Sequence, residues 1–271
     1  MENIKEVYNF YEIQYNENNR FSPNPLEFIR SKDIIKRYLE KPHLAIADIA
    51  GAAGPYSYWL AEQGHEVHLL DLSDKHIALA KDYGLRCGIE LSSLTCGDAR
   101  QLPYEDNKFD IVLNMGALYH LQNDSDRMKC ITECYRVLKP GCRAIIAYTS
   151  RFASLVDGYK YRFVDDPEFQ KILTTDLKTG KHNNPQNIPS YFTTAFYHTP
   201  DLIVNELQRG NFQNIKLLAV EGVASIIDTD NLMKDDNKKE LLLKHIKLTE
   251  EAPELLGIST HIIATCTKKL S

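Results

Sequence analysis

Between His43 and Ser150 the chain alternates short apolar runs with amphipathic ones, and nearly every apolar run ends on a polar residue. HLAIADIA (43–50), EVHLLDLS (66–73), LSSLTCGDA (91–99), KFDIVLNMGAL (108–118) and CRAIIAYTS (142–150) have the length and continuity of buried strands. Helices are expected between them. PYSYWLAEQG has Pro55 near its first position and Gly64 past its end, DKHIALAKDYG is closed by Gly84, and SDRMKCITECYRVLKPG stops at Lys139-Pro140-Gly141. Such alternation predicts an α/β fold: a mostly parallel sheet, helices on both faces, right-handed crossovers. Sheets of this kind hold ligands beyond the carboxyl ends of their strands. Here those ends carry Asp48–Gly54, Asp71, Asp98 and Asn114–Tyr119.

The flanks differ in character. Residues 1–40 read as a helical, aromatic lid: Tyr8, Phe10, Tyr11 and Tyr15 precede a Ser22–Pro25 break and a helix over about 26–39. The main domain is expected over 41–271. Its alternation is interrupted at about 151–198 by a cap rich in Tyr, Phe, His, Asn and Pro, a length of irregular chain that usually serves a site. A helix (200–209), a strand (213–221), a helix (236–249) and a last strand (259–269) add two strands at the sheet edge.

Composition narrows the function. No apolar run among the 271 residues reaches the roughly 18 needed to span a bilayer. The start, MENIKEVYNFYEIQY, lacks the basic-then-apolar pattern of a secretion signal, so a cytoplasmic protein with reduced thiols is expected. A net charge of −5 argues against a broad nucleic-acid footprint. The lysine-bearing helix 236–249 is expected to show a solvated face rather than to lie on a membrane. Cys130 and Cys134 share one helix face; with no second pair at ligand spacing they read as small core residues, and no metal site is expected.

The stretch ADIAGAAGPYS is a strand, a small-residue loop and a helix start, which together admit close backbone approach and offer unpaired N–H groups. It is neither G-x-G-x-x-G nor a phosphate loop with Gly-Lys-Ser/Thr, so dinucleotide and nucleoside triphosphate chemistry are disfavoured. Asp71 closes the second strand, where a carboxylate accepts ribose hydroxyls, and Asp98 stands where it could accept from an adenine amino group.

In combination, ADIAGAAGPYS, VHLLDLS, CGDARQLPYEDNKFDIVLNMGALYHL and RVLKPGCRAIIAY resemble the class I S-adenosylmethionine-dependent methyltransferases over about 43–150. GALYHL, SRFASLVDGY, DDPEF, FTTAFYHTP and AVEG extend that resemblance to one bacterial small-molecule branch. The resemblance implies strand order 3-2-1-4-5-7-6 with strand 7 antiparallel. It implies a donor site at Asp48, Gly51, Ala52, Gly54, Asp71, Leu72, Asp98, Ala99, Asn114 and Met115, with Tyr15 and Arg20 closing over it. Tyr119 and His120 would meet the acceptor as catalytic groups, and Arg151, Tyr161, His182, Tyr197 and His198 would line its pocket. The family loop, D-x-G-x-G-x-G, places glycines at 50, 52 and 54; here the first two are Ala50 and Ala52. If those positions need positive φ, each alanine costs roughly 1 kcal/mol or more. Transfer of a methyl group from S-adenosylmethionine to a small molecule is the expected function. A non-catalytic donor-binding or partner-binding protein with a degenerate loop is the alternative, and the acidic balance disfavours an RNA- or protein-directed enzyme.

Overall fold

A computed structural model describes Val7 and residues 26–270. After helix α1 (Leu26–Lys36) come β1 (Ala45–Ile49), α2 (Pro55–Ala61), β2 (Glu66–Asp71), α3 (Asp74–Cys87), β3 (Ser93–Cys96), β4 (Phe109–Asn114), α4 (Asp124–Val137) and β5 (Leu138–Thr149). The cap follows as α5 (Ala153–Lys160), α6 (Pro167–Thr179) and the short ribbon β6 (Lys181–His182) and β7 (Ala195–Phe196). The chain closes with α7 (Pro200–Arg209), β8 (Gln213–Ala219), α8 (Asp230–Lys234), α9 (Asp236–Thr249), α10 (Pro253–Leu256) and β9 (His261–Thr267).

The sheet runs β3-β2-β1-β4-β5-β9-β8, parallel from β3 through β5, with β9 antiparallel to both its neighbours. This is the order implied by the resemblance. Of the two strands expected at the edge, only β8 lies there; the last strand slots in between β5 and β8. Side chains alternate between two cores, as the period of a strand requires. Ala47, Ile49, Val112 and Ile146 pack against Cys130, Ile131 and Cys134 of α4 and Ile203 and Leu207 of α7. Ile46, Leu113 and Ile145 meet Ile34 and Ile35 of α1, Leu60 of α2 and Ala80 of α3. The α1 end of the N-terminal segment therefore belongs to the sheet's own packing, with Arg30 only 1% exposed. Cys130 and Cys134 are fully buried core residues, as their spacing suggested.

Two helix ends differ from the sequence reading. Gly84 lies inside α3, which ends at Gly88 in the left-handed conformation (φ 71°). Gly84 serves close packing: a Cβ there would stand 2.7 Å from the Tyr58 hydroxyl, which donates to the Ala80 carbonyl. α4 stops at Val137, and Lys139-Pro140-Gly141, read as the stop of that helix, already belongs to β5, which opens at Leu138 paired with Phe109. Pro140 disfavours a helical Lys139, so the chain turns extended before the proline.

Candidate active site

The loop after β1 is left-handed at alternate residues: φ is 54° at Ala50, 52° at Ala52 and 86° at Gly54. The conformation expected of three glycines is thus adopted with two alanines in it. The residue that must lack a side chain is Gly51, whose Cβ would stand 2.3 Å from Leu69 Cδ1 and 2.6 Å from Asp48 Oδ2. Gly51→Ala is expected to cost about 1–3 kcal/mol by overpacking, measured by urea denaturation. Beneath the loop Asp48 is fully buried, and Ser57 Oγ donates to its Oδ2 at 2.6 Å. Burial lifts its carboxyl to about 6, against the Ser57 hydroxyl and with help from the Asp71 charge.

Asp71, at the tip of β2, latches the loop. Its Oδ2 accepts the Ala52 N–H at 2.8 Å; its Oδ1 accepts the Ser73 N–H at 2.9 Å and meets His76 Nδ1 at 3.0 Å. A cavity opens beside it, walled by Ala50, Ala52, Leu70, Asp71 and Leu72, then Ser73, His76, Gly97, Asp98 and Ala99, with Gly116, Ala117, Tyr119, His120 and Leu121 opposite and Val7 from the N-terminal segment. Gly116 sets the closest approach of the β1 and β4 tips, since a Cβ on it would come 2.9 Å from the Ala50 carbonyl oxygen.

Of the residues proposed from sequence, Ala52, Asp71, Leu72, Asp98, Ala99, Tyr119 and His120 line this cavity. Asp98 does so while clamped by Arg100, whose guanidinium reaches both carboxylate oxygens. Burial opposes the Asp98 charge, but Arg100 outweighs it and holds the carboxyl below its ordinary range. Gly51 and Gly54 shape the loop from behind. Asn114 points away: its Nδ2 donates to Cys130 Sγ at 3.2 Å, and its Oδ1 accepts the Ala117 N–H at 3.1 Å, which fixes the turn after β4. Met115 packs into the core on the opposite face. Tyr15 and Arg20 lie outside the described residues. Gly116 and Ala117 belong to the Asn114–Tyr119 strand end, whereas Ser73, His76 and Leu121 carry no such signal in the sequence.

His120 and Tyr119 sit on one short turn, their rings 4.7 Å apart. His120 Nδ1 is 3.2 Å from the Thr194 carbonyl, so in the neutral ring that nitrogen carries the hydrogen and Nε2 is the basic one. Phe192 of the cap stacks on His120 at 5.6 Å and 25°.

The cap candidates have separate fates. Tyr197 lines a second cavity of about 220 Å3, bounded also by Thr149, Asp157, Phe192 and His261. Tyr161 is 57% exposed on the surface. Arg151 donates from Nε to the Tyr197 carbonyl at 2.9 Å and borders neither cavity. His182 is a buried clasp between Asp176 Oδ2 (2.8 Å) and the Tyr191 carbonyl (2.7 Å). His198 is fully buried, 3.3 Å from Glu206 Oε2, and burial pushes its pKa down. These last two hold the cap rather than face a ligand.

At the floor of the second cavity His261 Nδ1 meets Glu221 Oε1 at 2.6 Å. Burial alone would lower its pKa; the carboxylates of Glu27, Glu221 and Asp157 outweigh burial and lift it from 6.5 to about 10. The stability this pair contributes is therefore complete below about pH 6.5 and is lost as pH rises through about 10. His261→Gln should flatten the fall of the urea midpoint between those pH values.

The donor set fits an adenosine-bearing methyl donor. A carboxylate offers about four lone-pair positions, and the three hydrogen bonds Asp71 accepts leave it capacity for a ribose hydroxyl. Leu72, Ala99 and Leu121 supply apolar walls for a flat base. Among known proteins, residues 47–146 match the family model of a methyltransferase domain. The demethylmenaquinone methyltransferase of Oceanobacillus iheyensis is 33% identical over 123 residues, 44% of this chain and 50% of that protein. The ubiquinone/menaquinone biosynthesis C-methyltransferase UbiE of Ectopseudomonas mendocina is 27% identical over 190 residues, 67% and 72% of the two chains. The match thus spans half the length of the first relative and under three-quarters of the second. A solved S-adenosylmethionine-dependent methyltransferase from Methanosarcina mazei has the same fold, with a TM-score of 0.60 at 20% identity over 88% of this chain and 98% of that one.

Proposed function

We propose that this chain, whose residues 47–146 match a methyltransferase domain and whose fold is that of a solved S-adenosylmethionine-dependent methyltransferase, is a class I enzyme of that kind that transfers a methyl group from the donor to a small-molecule acceptor by in-line displacement. The observation that carries this is the cavity at the tips of β1, β2 and β4, where a left-handed loop is latched by Asp71. When bound, the donor supplies a methyl group already activated by its positively charged sulfur. The chain's part is to hold and align the two reactants, which alone is worth several kcal/mol.

In this reading Asp71 takes the ribose, Asp98 with Ala99 borders the base, and the Ala50–Gly54 loop receives the rest of the donor. Val7 on the cavity wall supports a covering role for the N-terminal segment. The alternative of a degenerate, non-catalytic loop loses its ground, because Ala50 and Ala52 already hold the conformation that glycines would favour. The two relatives are named for demethylmenaquinone and for ubiquinone/menaquinone biosynthesis; for this chain, the rings of Tyr119, His120 and Phe192 favour an acceptor with an apolar or aromatic body. No described helix is long and apolar enough to cross a membrane, and a cytoplasmic enzyme acting on a diffusible acceptor is the simplest assignment.

His120, with Nε2 basic and Nδ1 tied to the cap, is placed to take a proton from the acceptor. General bases contribute roughly 10²–10⁴-fold. His120→Gln is expected to lower incorporation of label from the tritiated-methyl donor into an extract of small metabolites by about that factor, with donor affinity unchanged. Equal incorporation by the variant would remove His120 from the chemistry. No incorporation by the unaltered protein would contradict methyl transfer.

A further inference from the structure

One side chain links the walls of the two cavities. Phe192 stacks on His120 of the first cavity and lines the second. It does so at φ 68° and ψ 175°, backbone values that bulky residues avoid and that tend to persist where a site requires them. The second cavity thus lies on the cap side of the ring that covers His120.

Its walls have a definite chemistry. The rings of Phe163, Tyr191, Phe192 and Tyr197 surround it, and Phe163 and Tyr191 pack together at 5.3 Å. Into this aromatic enclosure α5 presents Asp157, partly buried and without a hydrogen bond or ion pair from its carboxylate to any described residue. The other charged group on the wall, His261, has its direct ion pair with Glu221 at 2.6 Å and acts on Asp157 only through space. Behind the wall, buried Asp176 is already partnered, its Oδ2 accepting from Ser154 Oγ at 2.5 Å and meeting His182 Nδ1 at 2.8 Å. Arg151 does not line this cavity: its Nε donates to the Tyr197 carbonyl and its charge acts on Asp176. An unpaired carboxylate in a ring of aromatic faces is the arrangement that recognises a small organic cation, through one ion pair and the negative faces of the rings.

We propose that this cavity is the acceptor subsite and that it anchors a protonated amine, the ammonium on Asp157 and its apolar body among Phe163, Tyr191, Phe192 and Tyr197. The proposal deepens the methyl-transfer reading and rests on it for the word acceptor; the amine site itself stands on the cavity alone. Burial holds the Asp157 carboxyl above its ordinary range, against the charges of His261 and Lys160, and a bound cation would relieve that cost.

The test is calorimetric titration of the full chain, with and without S-adenosylhomocysteine, using 2-phenylethylamine, its neutral counterpart 2-phenylethanol and the anion phenylacetate at pH 7. The amine is expected to bind at least about tenfold more tightly than the alcohol. Asp157→Asn should abolish that preference while leaving the melting temperature and the affinity for S-adenosylhomocysteine unchanged. Equal or tighter binding of the alcohol or of phenylacetate, an amine preference that survives in Asp157→Asn, or no binding of the amine at millimolar concentration each overturns the proposal. The two levels fail separately. Loss of S-adenosylhomocysteine binding with the amine preference intact would sink the donor reading and leave the amine site standing. The reverse result would sink the amine site alone.

Discussion

Asp71→Ala should weaken binding of S-adenosylhomocysteine by about a hundredfold, because two effects act together. Hydrogen bonds from ligand hydroxyls to a carboxylate are each worth about 1.5–3 kcal/mol, and tenfold in affinity is about 1.4 kcal/mol. The same carboxylate also holds the Ala52 and Ser73 N–H groups, so its removal leaves two buried donors without an acceptor and releases the loop from its left-handed course. Asp71→Asn separates the two contributions. It keeps an acceptor oxygen for the loop but loses the charge, and it should cost affinity with a smaller loss of stability. Calorimetric titration with urea denaturation on both variants checks this. Full affinity in Asp71→Ala would mean that the cavity does not hold a ribose.

The second large effect is on stability, at the junction of cap and domain. Glu206 is fully buried on α7 and meets Arg127 Nε at 2.9 Å and His198 Nε2 at 3.3 Å. Arg127 is itself 3% exposed, donates to the Leu121 and Gln122 carbonyls and lies 3.8 Å over the Phe196 ring. One ion pair thus ties the His120 turn, the cap ribbon and α7 together. Removing one partner of a buried pair leaves an uncompensated charge and typically costs about 3–5 kcal/mol. Glu206→Ala should lose about that much in urea denaturation, whereas Glu206→Gln should lose less. Burial would raise the Glu206 carboxyl, but His198 and Arg127 outweigh burial and hold it below its ordinary value of 4.5. The stability it contributes is therefore present above about pH 4.5 and disappears as pH falls through the lower folded value. Acid unfolding of Glu206→Gln should be correspondingly shallower.

The sheet was legible because buried parallel strands are continuous apolar runs, and the polar residues that end them mark one rim of the sheet. Asp71, Asp98 and the Ala50–Gly54 loop could be located on that basis. Asn114 ends its strand as the others do, but strand alternation turns it away from the rim. Val112 and Asn114 share one side of β4 by strand alternation, and that side packs on α4, so the amide turns to Cys130 and the Ala117 N–H. The left-handed φ of Ala50 and Ala52 is not announced by alanine, and the loop runs close to Gly116 and Leu69, segments distant in sequence. The cap was legible only as an interruption. His182 and His198 look like ligand contacts in a list of residues; their burial depends on Asp176 and Glu206, carried on helices whose docking no local pattern specifies. The second cavity joins the ends of β5 and β9 to separate cap segments, so no single stretch announces it.

The central claim is that the cavity between the β1 loop, Asp71 and the His120 turn is a methyl-donor site. Its most direct test is calorimetric titration of the unaltered protein with S-adenosylmethionine, S-adenosylhomocysteine and NAD. Micromolar binding of the first two at one site per chain, with none for NAD, is the predicted result. Binding of NAD instead, or of none of the three by folded protein, would contradict the donor site and the activity built on it.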